Sequence, residues 1–507
     1  MTVFSDVLNK LLWENGVMVQ RQACFLIIWV VLVCACPALS ETNEINGINA
    51  ELIPIFGPDS RLADHFSCFL KIVNSIGHIQ VSESTLNPGN QFLMIPDDLA
   101  SSEFRPNLSL ELENIYLGIK PRATITWKQW KETGTDAQSE SSGEIFINEW
   151  LARCALWDNI ILSYGRENLQ WGPSYLLSPS NQFMKNNGQS NPKKEVPGSD
   201  FAKAIWVMDP SLTLSVIANT AEGEQSAAID SVSTSMPDLQ FPRYPKLYEI
   251  AGVDADSISN QVIESLGFPY EFNRSYAIKA DYSTFEKYFS IIGSYKEKDR
   301  SKLGFFGGMT VSDAMLLYLE GSFSQGTDTL YPVKKCLSPF GSVMLQTEDD
   351  TTALEGLLLV GGSYTLDYGQ TFVLEGVYNS AGYNDEQADL YFELRKKASD
   401  AYDAASPLSD LARLALFQAL DPRLRLLRKH YVMLQYQQMQ IFNQFNVILR
   451  YTLNLDDYSS QLNPIIEYDF TDNIQIFAVG QQNFGNRESE FRSFADYGIT
   501  IGFEYIF

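Results

Sequence analysis

Tyr497-Gly498-Ile499-Thr500-Ile501-Gly502-Phe503-Glu504-Tyr505-Ile506-Phe507 closes the chain. Tyr497, Ile499, Ile501, Phe503, Tyr505 and Phe507 fall on one face of an extended strand; Gly498, Thr500, Gly502 and Glu504 fall on the other, with Ile506 the exception. A period of two sustained over this length makes one apolar face and one polar face. About nine to eleven residues is what a tilted β-strand needs to cross a bilayer. As the edge of a soluble sheet, the same strand would be a long exposed template for aggregation.

The opposite end agrees. Arg21 precedes an apolar run from Ala23 to Cys36, and Pro37-Ala38-Leu39-Ser40 precedes Glu41. A basic n-region, an apolar h-region and a small-residue site predict a secretory signal peptide over 1–40, cut after Ser40. A lipoprotein-type cut before Cys36 is the poorer match, and the start stays open between Met1 and Met18. The run is too short for a membrane-spanning helix, and no later stretch reaches the roughly 18 uncharged apolar residues one requires. An exported membrane protein without spanning helices must pair every backbone group between strands, which only a closed barrel achieves.

The formal charge is −25 over 507 residues, and removing 1–40 leaves it unchanged because two acids and two bases go together. So acidic a chain excludes nucleic acid as a partner, since phosphate contacts need clustered Lys and Arg. It fits solvated loops or a lumen that prefers cations, and both readings stay open. Beyond the leader only Cys68, Cys154 and Cys336 remain, which permit at most one disulfide, so no disulfide framework holds the fold.

Alternating segments recur in pairs joined by turn formers. They run 107–119 with 122–130 around Lys120-Pro121-Arg122, 145–156 with 160–165, 202–208 with 211–219, and 275–282 with 286–295. The series continues with 302–310 and 314–324, 356–366 and 370–378, 430–439 and 444–454, and 463–470 and 474–482. With the C-terminal strand and a first strand at 46–56 or 66–74, this predicts a transmembrane antiparallel β-barrel of about 18 strands, within a range of 16–20. Residues 41–104 are the N-terminal segment holding that first strand, and 105–507 the barrel. Within 445–453, Phe445, Val447, Leu449, Tyr451 and Leu453 are expected to face lipid, and Asn446, Arg450, Thr452 and Asn454 the lumen.

The long connections, 166–201, 220–273, 325–355 and 379–429, all fall on one side. The last carries a helical insertion within 380–429: helices are expected over 384–405, capped by Asn384 or Asp385, and over 406–421, opened by Ser406-Pro407.

An alternating last strand ending in Phe507, with Tyr505 two residues before it, resembles the terminal strand of Gram-negative outer-membrane barrels. That resemblance implies an assembly signal read by the barrel-assembly machinery, both termini periplasmic, and outer-membrane lipid as surroundings. A second resemblance begins at Tyr164-Gly165-Arg166-Glu167-Asn168-Leu169-Gln170-Trp171-Gly172-Pro173 and continues Ser174-Tyr175-Leu176-Leu177-Ser178-Pro179-Ser180-Asn181. Gly-Arg, four residues, Trp-Gly-Pro, then Leu-Leu-Ser and Asn, resembles the Wzi capsule-assembly family, which implies a barrel that holds capsular or other extracellular polysaccharide. A looser form occurs in porin-like families where this loop folds into the barrel. Residues 41–103 depart from the capsule family, showing little of its N-terminal helical portion.

Physically, Gly165 and Gly172 permit unusual backbone angles and Pro173 and Pro179 set direction. Arg166 can pair with carboxylates, and Trp171 and Tyr175 can stack on a sugar; equally, Arg166 and Trp171 can simply pin the loop. His65, His78 and His430 lie in no nucleophile motif or ligand spacing, so neither an enzyme nor a metal or other cofactor is expected. Asp349-Asp350 and Asp456-Asp457 could bind calcium at an outer loop, but paired acids in loops are usually just solvated. The leading expectation is a porin-like passive channel for small polar or charged solutes. Its wall charges would be Glu111, Glu113, Lys279, Glu320, Glu375 and Arg450. The alternative is a plugged barrel that anchors polysaccharide. Solute, oligomeric state and openness of the lumen are not readable.

Overall fold

The computed structural model describes residues 65–130, 139–157, 159–184, 191–221, 223, 227–228, 272–297, 300–334, 343–347, 353–403 and 409–507. The leader, the 46–56 strand candidate, Cys336, Asp349-Asp350, Ser406 and Pro407 lie outside them. Eighteen antiparallel strands close into a barrel. In chain order they are β1 (Phe66–Val81), β2 (Asp98–Glu111), β3 (Ile115–Gln129), β4 (Ser139–Leu156), β5 (Ile160–Glu167) and β6 (Ser199–Asp209). Next come β7 (Leu212–Ala221), β8 (Ser275–Ser283), β9 (Lys287–Lys296), β10 (Ser301–Ser312), β11 (Met315–Gln325) and β12 (Leu354–Thr365). The last six are β13 (Thr371–Asn379), β14 (His430–Ile441), β15 (Phe445–Asn454), β16 (Ser460–Thr471), β17 (Ile474–Phe484) and β18 (Ala495–Ile506). β1 pairs with β18 from Lys71↔Ile506 to Val81↔Ala495, which seals the sheet. The two-residue segment Ala227–Ala228 adds only to β4.

The first strand is thus the 66–74 candidate, extended to Val81, and the barrel begins well before residue 105. Seven of the eight expected tight turns fall where turn formers place them. The first does not. Its turn is Leu112–Ile115, closed by Leu112 N to Ile115 O at 2.8 Å, and Pro121 sits inside β3 at a register shift. A proline lacks the ladder donor, so a strand accommodates it at a bulge; here the proline marks an irregularity rather than a turn. Glu111 and Glu113 therefore belong to the short-turn rim and not to the lumen wall. Both described chain ends lie on that rim, where Phe507 N donates to Leu70 O.

Alternation sorts the faces as the sequence implies. In β15, Phe445, Leu449 and Tyr451 are exposed on the exterior while Arg450, Thr452 and Asn454 are buried. In β18, Tyr497, Ile499, Ile501 and Phe503 form the exterior and Glu504 turns inward. No helix among the described residues is long and apolar enough to cross a membrane.

On the long-loop rim stands a cap with its own core. Helix α1 (Asp385–Asp403) and helix α2 (Ser409–Leu420) match the expected insertion to within a few residues. Asn384 caps α1 reciprocally with Gln387: Gln387 N donates to Asn384 Oδ1 at 2.9 Å, and Asn384 N to Gln387 Oε1 at 3.0 Å. Leu394, Ala398, Ala412 and Leu416 pack with Leu86, Phe92 and Leu93 of the β1–β2 connection and with Val343 and Leu345 of a side hairpin, Leu330–Lys334 with Val343–Thr347. Each fully buried Leu or Phe contributes roughly 1.5–3 kcal/mol, so this cluster holds the cap as a unit. α1 follows β13 at one end, and Tyr402 near its other end donates to Gln91 O at 3.3 Å. The helix therefore bridges the rim from β13 to the β1–β2 connection, a reach of about 28 Å for its length.

Candidate functional site

The β5–β6 connection turns into the barrel and lines it. A backbone cylinder of this strand number is about 35 Å across, too wide for wall side chains to fill. Residues 168–184 run along the inner wall past β8, β10, β11 and β13, moored by two carboxylates. Glu320, on β11, is fully buried. It accepts from Ser174 Oγ at 2.6 Å, Ser180 Oγ at 2.6 Å and Ser180 N at 3.1 Å, and also from Ser178 Oγ. Glu375, on β13, accepts from Tyr175 N at 2.6 Å, Leu176 N at 2.9 Å and Tyr318 OH at 2.8 Å. Charge-assisted bonds of this kind are about twice as strong as neutral ones. Gly172 makes the approach possible. Its φ is +91°, and a Cβ there would lie 2.4 Å from a Glu320 oxygen.

Beside this mooring, Trp171 meets Phe183 edge-on with centroids 5.8 Å apart, and Lys279 Nζ lies 5.9 Å from the Trp171 ring centre and 5.4 Å from that of Phe306. Lys279 also pairs with Asp281. Trp171 Nε1 is buried without a hydrogen-bond partner among the described residues.

The end of the same connection is moored to the other wall. Lys193 Nζ lies 2.6 Å from Glu467 and 3.7 Å from Glu504, on β16 and β18. Its carbonyl accepts from Arg105 of β2 at 2.8 Å. Glu195 accepts from Arg122 Nη2 of β3 at 3.0 Å and from Asn148 Nδ2 of β4 at 3.4 Å. One connection thus joins opposite sectors of the lumen, with Lys193 and Glu195 each paired to wall charges.

The structure brings Trp171, Tyr175, Glu320, Glu375 and Arg450 into one region. Arg450 is buried, with Nε and Nη2 at 2.9 and 2.7 Å from Gln435 Oε1. Arg166 stands apart. It shares its strand face with Leu162 and Tyr164, which are exposed on the exterior, and pairs with Asp200 directly across β6 at 2.9 Å. Sequence reasoning did not find Ser174, Ser178 and Ser180 as the partners of Glu320, nor Lys193 and Glu195. A serine in a loop carries no mark of a carboxylate some 140 residues away.

The cap touches this loop through Arg425, which donates to Ser178 O at 2.9 Å and Asn181 O at 3.2 Å. Above it, Glu490 of the β17–β18 connection accepts from Leu427 N at 2.9 Å, Asn454 Nδ2 at 2.8 Å and Tyr431 OH. Burial, reinforced by the charge of Asp457, pushes its carboxyl up to about 8 against those hydrogen bonds. Asp456 goes the other way. Burial opposes its ionisation, but the His430 ring and the backbone N–H groups of His430 and Lys429 outweigh it and hold the carboxyl below its usual range.

An apolar exterior belt around an ion-paired interior, closed without an edge, defines a membrane-spanning β-barrel of the outer-membrane type. Among solved structures the chain is similar to Pseudomonas aeruginosa OccK5 (OpdH), with TM-score 0.46, 10% identity, and coverage of 88% of this chain and 99% of that one. It is similar to the outer membrane protein OprD from Pseudomonas aeruginosa, with TM-score 0.44, 9% identity, and 88% and 94% coverage. A mutant Rh. blastica porin follows at TM-score 0.36, 11% identity, and 87% and 100% coverage. These are distant likenesses. No protein-family model and no curated protein matches the chain.

Proposed function

We propose that the protein is an outer-membrane channel through which small polar or charged solutes diffuse passively, with the short turns and both termini in the periplasm. The observation that carries this is the β5–β6 connection, seated against the wall through Glu320 and Glu375 inside an otherwise wide, ion-paired lumen. A loop held to the wall narrows a pore and gives it a charged, aromatic-edged constriction at Trp171, Tyr175 and Lys279. Transport of this kind involves no bond making or breaking. Single-channel conductance of the refolded chain from Glu41 to Phe507 in planar bilayers tests it. Stable, salt-dependent steps are expected, with cations preferred over anions.

A second reading, a plugged barrel that holds capsular or extracellular polysaccharide, is favoured by the cap that bridges the long-loop rim. The Wzi resemblance that suggests it is confined to residues 164–181. A correctly folded barrel that stays electrically silent, yet binds polysaccharide in a manner lost on Trp171→Ala, would replace the channel reading. For assembly, Phe507→Ala is expected to slow insertion by the barrel-assembly machinery, with Tyr505→Ala weaker.

A further inference from the structure

One junction of the barrel is closed by hydrogen bonds alone. β1 and β18 pair from Lys71↔Ile506 to Val81↔Ala495, whereas every other neighbouring pair of strands is consecutive in the chain. A junction without a chain connection has nothing to hold its edges together once the ladder opens. Opening it would also expose the strand edges that closure removes. We propose that the 191–195 end of the β5–β6 connection is a clamp that keeps the β1–β18 junction shut from inside the lumen.

Lys193 grips both sides of that junction. Its Nζ lies 2.6 Å from Glu467 of β16 and 3.7 Å from Glu504 of β18, while its carbonyl accepts from Arg105 of β2 at 2.8 Å. Lys71 of β1 also reaches Glu504, directly across the junction, at 3.2 Å. Two residues further on, Glu195 accepts from Arg122 of β3 at 3.0 Å and Asn148 of β4 at 3.4 Å. These contacts are sheltered, with the Lys193 side chain 11% exposed and that of Glu504 6%. Ion pairs held out of water are screened far less than surface pairs, and losing one partner leaves a charge uncompensated.

The outer end of the same junction is crossed a second time, by the cap. Ser82 N donates to Phe494 O at 3.0 Å, and Thr85 N donates to Glu488 at 3.2 Å. Arg395 of α1 donates to Ser493 Oγ at 3.1 Å, and Ile79 and Val81 of β1 pack against the cluster that holds Phe494 and Ala495. By contrast, the 174–180 end of the lumen connection grips β11 and β13, far from the junction. Those moorings are enough to narrow a pore. The reach back to β16, β18, β2, β3 and β4 serves the junction that these strands flank.

The inference requires the closed barrel but not the channel, so an electrically silent protein leaves it intact. The test uses the full mature chain refolded in detergent, with heat-modifiable mobility as the check of folding. Lys193→Met is expected to speed hydrogen exchange in β1 and β18 about tenfold, with β11 and β12 exchanging as in the parent. Glu320→Ala, which loosens the other end of the same connection, should leave β1 and β18 at the parent rate. A second arm ties the junction covalently. Ile76→Cys with Ile501→Cys, a directly opposed pair, is oxidised in a background with Cys68, Cys154 and Cys336 changed to Ser. That link should restore the unfolding temperature lost on Lys193→Met. A matched link across β11 and β12, Leu319→Cys with Val360→Cys, should not. Exchange that rises evenly around the barrel, or stays at the parent rate in β1 and β18, overturns the proposal. So does equal rescue by the two links, or rescue by neither. If Lys193→Met does not fold, Glu195→Gln carries the same measurements, since it removes one charge and keeps the shape.

Discussion

Two parts of this molecule are held in place by different mixtures of polar and apolar contacts. The β5–β6 connection lies in the lumen, moored by carboxylates to serines, backbone amides and cations, with Leu177 and Phe183 packed into two small apolar clusters on the wall. The cap on the long-loop rim is held by a hydrophobic cluster drawn from both helices, the side hairpin and the β1–β2 connection. The difference follows from position. A loop against the inner wall meets small apolar patches set among charges, so it is fixed by directed bonds as well as by burial. A structure above the rim can exclude water from its own interior. Directed bonds fail when one partner is removed, whereas an apolar cluster weakens by degrees.

The largest effect is expected from removing both moorings. Glu320→Ala with Glu375→Ala strands the donors of Ser174, Ser180, Tyr175 and Leu176, at about 1–3 kcal/mol for each group left buried and unpaired. The loop should detach, raising single-channel conductance several-fold and abolishing ion preference while the barrel keeps its heat-modifiable mobility. Unchanged conductance would place the permeation path away from this loop.

Leu416→Ala should act only on the cap. Deleting a buried Leu costs about 2–5 kcal/mol, so limited proteolysis of α1 and α2 should accelerate while barrel melting stays put. A fall in barrel melting would show that cap and barrel unfold together.

Glu490 gives a pH test of the cap's seam. Its carboxyl titrates at about 8 when folded, against an ordinary value of 4.5. Between those values the folded state binds more protons than the unfolded one, so the contribution is complete below 4.5 and is lost as pH rises to about 8. Each pH unit within the window costs at most about 1.4 kcal/mol. Hydrogen exchange at Leu427 should quicken over that range, and Glu490→Gln should flatten the dependence; a variant as pH-sensitive as the parent would remove Glu490 as the cause.

Arg166→Gln should do least. Its pair with Asp200 is only 12% and 15% exposed, so its loss is expected to lower barrel stability, but the pair faces away from the lumen and conductance should be unaltered. A conductance change as large as that from Glu320 would put Arg166 in the lumen after all.

Legibility follows the range of the interactions. Strand faces were readable because alternation is local: Phe503 and Glu504 declare opposite sides to any reader who knows the two-residue period. The helical insertion was readable for a similar reason, since Asn384 and Gln387 cap within one turn. Pro121 misled because its meaning depends on whether the neighbouring strand can bulge to admit it. Arg166 sat in a motif that promised a lumen role, yet one residue of register sends its side chain outward.

The sequence by itself determined a membrane-crossing barrel of about this strand number, its lipid-facing residues and the presence of a helical insertion, because period, turn chemistry and caps act over a few residues. Only the tertiary structure decided that Glu320 and Glu375 hold a loop instead of standing free on the lumen wall, that Lys193 ties that loop to the far wall, and that the helices share a core with the β1–β2 connection. Those contacts join residues far apart in the chain, and closure of the sheet is what brings them within hydrogen-bond reach.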